Sequence, residues 1–198
     1  MARKRVAILI SGRGSNMMAL IEAAKDPAYP AEIVLVLSNR PDAAGLARAQ
    51  AEGIATAVVD HARFGKDRET FERALQAELE RHRIELVCLA GFMRLLTPWF
   101  VRRWEGRLIN IHPALLPALK GLNTHERALA EGVTHHGATV HFVVPEMDSG
   151  PIILQDQLRV LATDDADTLA ARVLEIEHRI YPQALALVAR GEVAIGDR

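Results

Sequence analysis

The stretch Val6-Ala-Ile-Leu-Ile10, running directly into Ser11-Gly-Arg-Gly-Ser-Asn16, decides the fold class. An unbroken aliphatic run of this length reads as a strand covered on both faces, because a half-exposed strand alternates with polar residues. Gly12 and Gly14 let the chain turn at once into a helix predicted over 15–25, with Ser15 as its N-cap. Strand, glycine turn and helix form the first half of a βαβ unit, whose second strand must pair in parallel.

The same rhythm continues downstream. IVLVL (33–37), ATAVV (55–59), LVCLA (86–90) and LINI (108–111) read as further strands, with helical patterns over 42–52, 67–82 and 97–103. Asp42 and Thr97 are predicted N-caps, Pro98 suits a first helical position, and Gly53 is a stop. After Ile111 the pattern changes to a Pro-punctuated loop (HPALLPALKGLN), a short helix near 124–131 ended by Gly132, and two strands over 137–144 and 152–160. The last helix, 166–190, carries Leu169, Val173, Ile176 and Ile180 at helical spacing and is expected to kink or divide at Pro182. The expectation is an α/β protein in one domain over 1–198: an open, mostly parallel twisted sheet with helices on both faces and antiparallel strands in its C-terminal part.

Composition removes several function classes. Lys+Arg of 24 against Asp+Glu of 25 gives a net charge of -1, so no basic field recommends nucleic acid or an anionic membrane as partner. Hydrophobic residues at 49% and charged residues at 25% are ordinary for a globular chain and argue against disorder. Cys88 is the only cysteine, which excludes an intrachain disulfide and a multi-thiolate metal site and fits a reducing compartment. Val6 to Ile10 is shorter than the roughly 7–15 residues of a signal h-region, and no apolar run approaches the ~18 residues of a membrane span. The expected location is the cytoplasm.

Three segments carry candidate chemistry. In the first, the amides of Gly12, Arg13, Gly14, Ser15 and Asn16 precede a helix, an arrangement that holds phosphate without large net charge; its simpler reading is a tight turn. A dinucleotide site is disfavoured, because Met17 stands where a third small residue is needed and Ser38, Asn39 and Arg40 stand where the acidic residue belongs. No Gly-Lys-Ser/Thr follows, so a phosphate monoester is the better fit. In the second, alternation sends Asn110 and His112 to one face at the carboxyl edge of a strand. An amide donor beside an imidazole suits stabilisation of an oxyanion at a carbonyl, although such a pair also serves as a structural hydrogen-bonded loop. The third is the turn Pro145-Glu146-Met147-Asp148-Ser149-Gly150-Pro151: Asp148 there is a solvated turn residue by default, but across the sheet edge it could orient His112. Histidines 125, 135, 136 and 141 match no metal-ligand spacing, and His136 and His141 fall on opposite faces of one strand, so no metal is expected. Ser11 and Ser15 lack the context of a nucleophile elbow.

ISGRGSN in the first loop, LAGFMRLL (89–96), INIHPALLP (109–117), GLNTHERAL (121–129) and VHFVVPEMDSGPIILQ (140–155) together resemble the phosphoribosylglycinamide formyltransferases, folate-dependent enzymes of purine synthesis with a Rossmann-like fold. The motifs occur in order over almost the whole chain. The resemblance implies direct transfer of a formyl group from 10-formyltetrahydrofolate, as co-substrate, to the glycine amine of phosphoribosylglycinamide, with no metal and no NAD. It further implies that Asn110 bonds the formyl oxygen, that His112 as imidazolium stabilises the tetrahedral oxyanion, and that Asp148 holds His112 charged and helps move the amine proton. By the same carry-over Gly12 to Asn16 bind the nucleotide phosphate, and Glu177 meets the glycinamide end. Met93, Arg94, Leu95 and Leu96, with Val144, Pro145, Glu146, Met147 and Asp148, line the pterin pocket, joined by Arg68 and Asn110 at the folate site. Read without the resemblance, Glu177 lies four residues after Val173 at the margin of an apolar helix face, an unusual position for a carboxylate that only meets solvent. Two positions depart from the family pattern: Asn123 stands where many members have His and cannot titrate, and Ala114 stands where many have Ser.

Competing readings are a formyltetrahydrofolate deformylase, in which water replaces the amine, a methionyl-tRNA formyltransferase, an NAD-dependent oxidoreductase and a non-catalytic phosphate-binding module. Deformylases carry an additional N-terminal domain, whereas the first strand here begins within a few residues of Met1; the tRNA enzyme adds a C-terminal domain and needs a surface for RNA. The expected partners are small-molecule substrates, with neither nucleic acid nor membrane, and self-association into a homodimer is left open.

Overall fold

The computed structural model describes residues 2–196. Seven strands, β1 (Lys4–Ile10), β2 (Ala31–Ser38), β3 (Ala55–Val58), β4 (Leu86–Leu89), β5 (Leu108–His112), β6 (His135–Phe142) and β7 (Ile152–Arg159), form one sheet in the order β3-β2-β1-β4-β5-β6-β7. The pairs from β3 through β5 are parallel, and β6 and β7 are added antiparallel. The helices are α1 (Ser15–Ala24), α2 (Ala44–Ala51), α3 (Arg68–Arg81), α4 (Pro98–Arg103), α5 (Thr124–Glu131) and α6 (Ala166–Ala189).

The aliphatic runs are buried on both faces because each face has its own core. Val6, Ile8 and Ile10 of β1 pack with residues of α1, α2, α5 and α6, while Ala7 and Leu9 pack with Phe71, Leu75 and Leu79 of α3 and Phe100 and Val101 of α4. β7, at the sheet edge, has no fully buried residue and mixes partly buried with exposed positions, which is why polar residues interrupt its sequence IILQDQLR. The sheet order reverses at β1, whose neighbours are β2 and β4. The loops leaving the carboxyl ends of β1 and β4 diverge there and open a crevice.

Local details depart from expectation at two helix N-termini. The N-cap of α1 is Gly14, not Ser15, because its left-handed backbone (φ 73) makes the turn that Ser15 would strain to make. Ala43, not Asp42, caps α2. Thr97 does cap α4, but its hydroxyl turns away to the Glu72 carboxylate. Nor does Pro182 divide the last helix: α6 runs unbroken through it, because Ile176, Ile180 and Tyr181 before it and Ala184, Leu185 and Val188 after it are all buried against the sheet. That packing offsets the hydrogen bond the proline cannot make. A 3-10 turn at His61–Phe64, capped by Asp60, was not foreseen.

Candidate active site

The three candidate segments meet at the carboxyl edge of the parallel strands. Gly12, Arg13, Gly14, Ser15 and Asn16 leave β1 and, with Ala90 and Gly91 after β4, surround a hollow of about 160 Å³. Gly14 needs its left-handed φ, and a Cβ there would meet the Met17 side chain at 2.9 Å. Gly12 has an ordinary φ, and its Cβ would meet nothing within 4 Å, so that room is available to a ligand approaching the backbone. A larger hollow, about 420 Å³, lies between Tyr29, Leu154 and the stretch Pro182 to Arg190, away from every candidate residue. Its walls mix the aliphatic Leu154, Pro182, Ala186 and Leu187 with Tyr29, Gln183 and Arg190.

Asn16 ends the glycine loop, and its Nδ2 donates to Glu177 Oε1 at 3.0 Å across the α1–α6 contact. Both side chains are buried, and burial raises the Glu177 carboxyl to about 7, with the Asn16 amide holding it partly down. Asn16 Oδ1 has no hydrogen-bond partner although it is shielded from solvent. A buried acceptor without a donor is costly, and its natural complement is a hydroxyl or amine of a bound molecule.

At the end of β5, His112 Nε2 lies 2.9 Å from the carbonyl oxygen of Leu119. A carbonyl only accepts, so Nε2 carries hydrogen. Leu119 makes this contact by adopting φ 54, a conformation costly for a branched residue, and Asp148 (φ 51) and Asn123 (φ 55) are left-handed as well. The other ring nitrogen, Nδ1, faces Asp148 Oδ2 at 3.7 Å. The Asp148 side chain is only 11% exposed, so it is not a solvated turn residue. The Gly121 amide donates to its Oδ2 at 2.9 Å, and Lys120 Nζ donates to Ser149 Oγ at 2.7 Å. These two bonds latch the 113–123 loop to the 144–150 loop over His112.

Asn110 is oriented by His141. His141 Nδ1 lies 2.9 Å from the Phe142 carbonyl and therefore carries hydrogen, and burial lowers the proton affinity of the ring. Its bare Nε2 lies 3.4 Å from Asn110 Nδ2 and accepts from it. The β5–β6 register sets Asn110 opposite His141, but strand pairing between distant segments is not visible in a single motif. His136 turns to the other face and meets His125, Nε2 to Nδ1 at 3.1 Å; burial pushes His136 down to about 4. No cluster of three or more potential metal ligands occurs among the described residues.

The segment 91–97 after β4 is the third wall. Met93 and Leu95 are 63% and 66% exposed, as is about half of Met147 opposite, so these apolar groups have no partner within the protein. Arg68 donates to the Leu95 carbonyl. Glu72, one turn further along α3, accepts the Thr97 amide at 2.6 Å and the Thr97 hydroxyl. Glu72 is 1% exposed within the buried stripe of α3, and burial raises its carboxyl. A carboxylate beside Phe71 in that stripe was the sequence signal for it. Leu96 tucks against the core of the α3 side, and Arg94, Val144, Pro145 and Glu146 continue the rim at intermediate or greater exposure. Of the two departures, Ala114 is fully buried, where a hydroxyl would need a partner, and Asn123 is exposed, its side chain capping nothing.

The chain is similar to known proteins over most of its length. The formyl transferase family model matches residues 4–185. The chain is 45% identical over 188 residues to the phosphoribosylglycinamide formyltransferase of Escherichia coli (strain K12), covering 95% of this chain and 88% of that protein. It is 50% identical over 193 residues to the trifunctional purine biosynthetic protein adenosine-3 of Gallus gallus, covering 98% of this chain. There it spans only 19% of the relative's length. The crystal structure of phosphoribosylglycinamide formyltransferase from Brucella melitensis superposes with a TM-score of 0.91 at 52% identity, over 96% of this chain and 98% of that one. With a family match over nearly the whole sheet and helices, and a likeness in sequence and backbone to enzymes of that family, this chain belongs to the formyl transferase family.

Proposed function

We propose that the chain transfers the formyl group of 10-formyltetrahydrofolate to the glycine amine of 5'-phosphoribosylglycinamide through a tetrahedral intermediate. The observation that carries the reading is the convergence of Asn110, His112 and Asp148 between a glycine loop suited to phosphate and an unpartnered apolar wall suited to a pterin.

The nucleotide phosphate sits on the amides of Gly12 to Asn16 at the start of α1. Glu177 receives the glycinamide end, its carboxylate oriented by the Asn16 amide. The folate ring lies along Met93 to Leu96 and Val144 to Asp148, with Arg68 at the rim. Asn110 has one amide hydrogen on His141 and the other free for the formyl oxygen. The amine nitrogen attacks the formyl carbon, a C–N bond forms and the carbonyl oxygen becomes an oxyanion, held by Asn110 and the charge of His112. Asp148 receives the amine proton through a water, and the proton returns by the same route to N10 of the folate as the C–N10 bond breaks. Oxyanion stabilisation contributes about 3 kcal/mol, acid-base assistance roughly 10²- to 10⁴-fold, and fixed orientation several kcal/mol more. No covalent enzyme intermediate is needed. Cys88, the lone cysteine, is buried with its thiol pushed up to about 12 and takes no part. A chain that needs no disulfide fits the cytoplasm, and no described helix is long and apolar enough to cross a membrane.

The test is acceptor dependence. Incubated with 10-formyltetrahydrofolate alone, the protein should release tetrahydrofolate slowly; phosphoribosylglycinamide should accelerate release strongly and appear as its formylated product. Fast release without the amine would transfer the reading to a deformylase.

A further inference from the structure

Ser11 is the last residue of the β1 run before the glycine loop and is 6% exposed. The parallel pairing of β1 with β4 reaches Leu9 opposite Leu89 and continues beyond both strands: the Ala90 amide donates to Leu9 at 2.9 Å, and the Ser11 amide donates to Gly91 at 3.2 Å. At Gly91 the backbone turns left-handed (φ 69) and leaves the ladder. The next inward amide, that of Met93, has no strand to bond, and Ser11 Oγ accepts it at 2.8 Å. The single hydroxyl proton of Ser11 goes to Asn39 Oδ1 at the end of β2. Asn39 is in turn held by His61, whose Nδ1 lies 3.0 Å from its amide nitrogen. One hydroxyl thereby joins the three loops that leave β1, β2 and β4.

The far end of the 91–97 segment is anchored separately, by Glu72 on Thr97 and Arg68 on Leu95. Its near end hangs from the residue that opens the phosphate loop, and the two loops share the walls of one hollow. We propose that Ser11 is a positioning residue that ties the nucleotide loop to the folate loop, so that each ligand tightens the other. This rests on the two subsites read above. A phosphate that orders Gly12 to Asn16 fixes Ser11, and through it the Met93 amide against which the pterin lies. A coupling free energy between two sites is reciprocal, so the folate tightens the nucleotide by the same factor.

Calorimetric titration measures this directly with phosphoribosylglycinamide and tetrahydrofolate, which together form a complex that cannot turn over. In the native protein, tetrahydrofolate should bind about fivefold tighter or more once the nucleotide saturates, with the same factor in the reverse order. Ser11→Ala should bring that ratio to within about twofold of one, below the roughly fivefold at which typical coupling begins. A residue that only supports the fold would lower the melting temperature and both affinities while leaving the ratio intact. If Ser11→Ala does not fold, Ser11→Cys, of similar volume but with a weak donor and acceptor, is judged by the same ratio. A native ratio of one, or a variant that keeps the native ratio, overturns the proposal while formyl transfer stands. A native protein that binds neither ligand and transfers no formyl group removes the functional reading, and this proposal with it.

Discussion

Asp148 and Glu177 are both carboxylates removed from solvent, yet they are held in opposite ways. Asp148 is placed by its own left-handed backbone and by the Gly121 amide, with its charge aimed at His112. Asp148→Asn keeps the acceptor for Gly121 and tolerates that backbone, so it removes charge with little change in shape. Turnover should fall by roughly 100-fold or more, with substrate affinities little changed. His112→Asn should cost a similar factor, and the double variant much less than the product, since the two act as one unit. Steady-state kinetics of the three variants decides this: near-native turnover in Asp148→Asn would leave Asn110 and His112 to act without it. Glu177, by contrast, is destabilised as an ion. Its carboxyl is raised to about 7 by burial, so as pH rises from the usual carboxylate range to about 7 the unfolded chain ionises first and the folded state loses stability. The loss above pH 8 is about 3 kcal/mol at most. Glu177→Gln should therefore melt higher than the native chain at pH 8, by a margin that vanishes near pH 4, while binding the nucleotide more weakly. Equal melting temperatures of the two proteins at pH 8 would contradict this.

Among the elements, the β6–β7 connection determines where Asp148 stands. Gly150 follows it and rests its backbone against the end of β6, where a Cβ would lie 1.7 Å from the Phe142 carbonyl oxygen. No rotamer relieves a contact between a Cβ and a backbone oxygen, so Gly150→Ala must shift the whole 144–150 loop. Stability should fall by about 1–3 kcal/mol, as in other overpacked sites, and kcat/KM should fall with it because Asp148 moves with the loop. Urea unfolding and kinetics on the same preparation check the pair of effects; loss of stability with native kcat/KM would uncouple the loop from the chemistry. The His141–Asn110 contact depends on another element relation, the antiparallel register of β5 and β6. A slip by one residue would turn Asn110 or His141 to the opposite face.

For the molecule as a whole, the candidate site gathers around the place where the sheet order reverses. β1 lies between β2 and β4, and the loops from those three strands are joined through Ser11 and Asn39. Behind them, α6 spans the sheet and is tied to it by Tyr181, whose buried hydroxyl donates to the Leu89 carbonyl at 2.7 Å and lies 3.3 Å from that of Ile109. The same helix carries Glu177 one turn earlier. The acceptor dependence proposed for formyl release belongs to this scale, because on that reading the nucleotide side and the folate side of the crevice are filled together.

The strand and helix sequence was legible in the chain itself, since aliphatic runs such as Val6 to Ile10 and Ile33 to Leu37 can only be buried on two faces, and apolar residues at helical spacing mark the helices between them. The glycine loop, Asn110, His112 and the turn holding Asp148 were legible too, because local backbone need and chemistry coincide in short motifs. Helix ends were less legible: Gly14 outcompeted Ser15 through its backbone freedom, and packing on both sides carried α6 past Pro182. What only the tertiary structure decided are the contacts between residues far apart in the chain. His141 reaches Asn110 through the antiparallel register, Glu72 reaches Thr97 through helix packing, Asn16 reaches Glu177 across the sheet face, and Ser11 reaches Met93 through the reversal of strand order. The physical reason is that composition and periodicity report which side of an element is buried, whereas a hydrogen bond depends on which atom of another element arrives there, and that is fixed only when the sheet has closed its register.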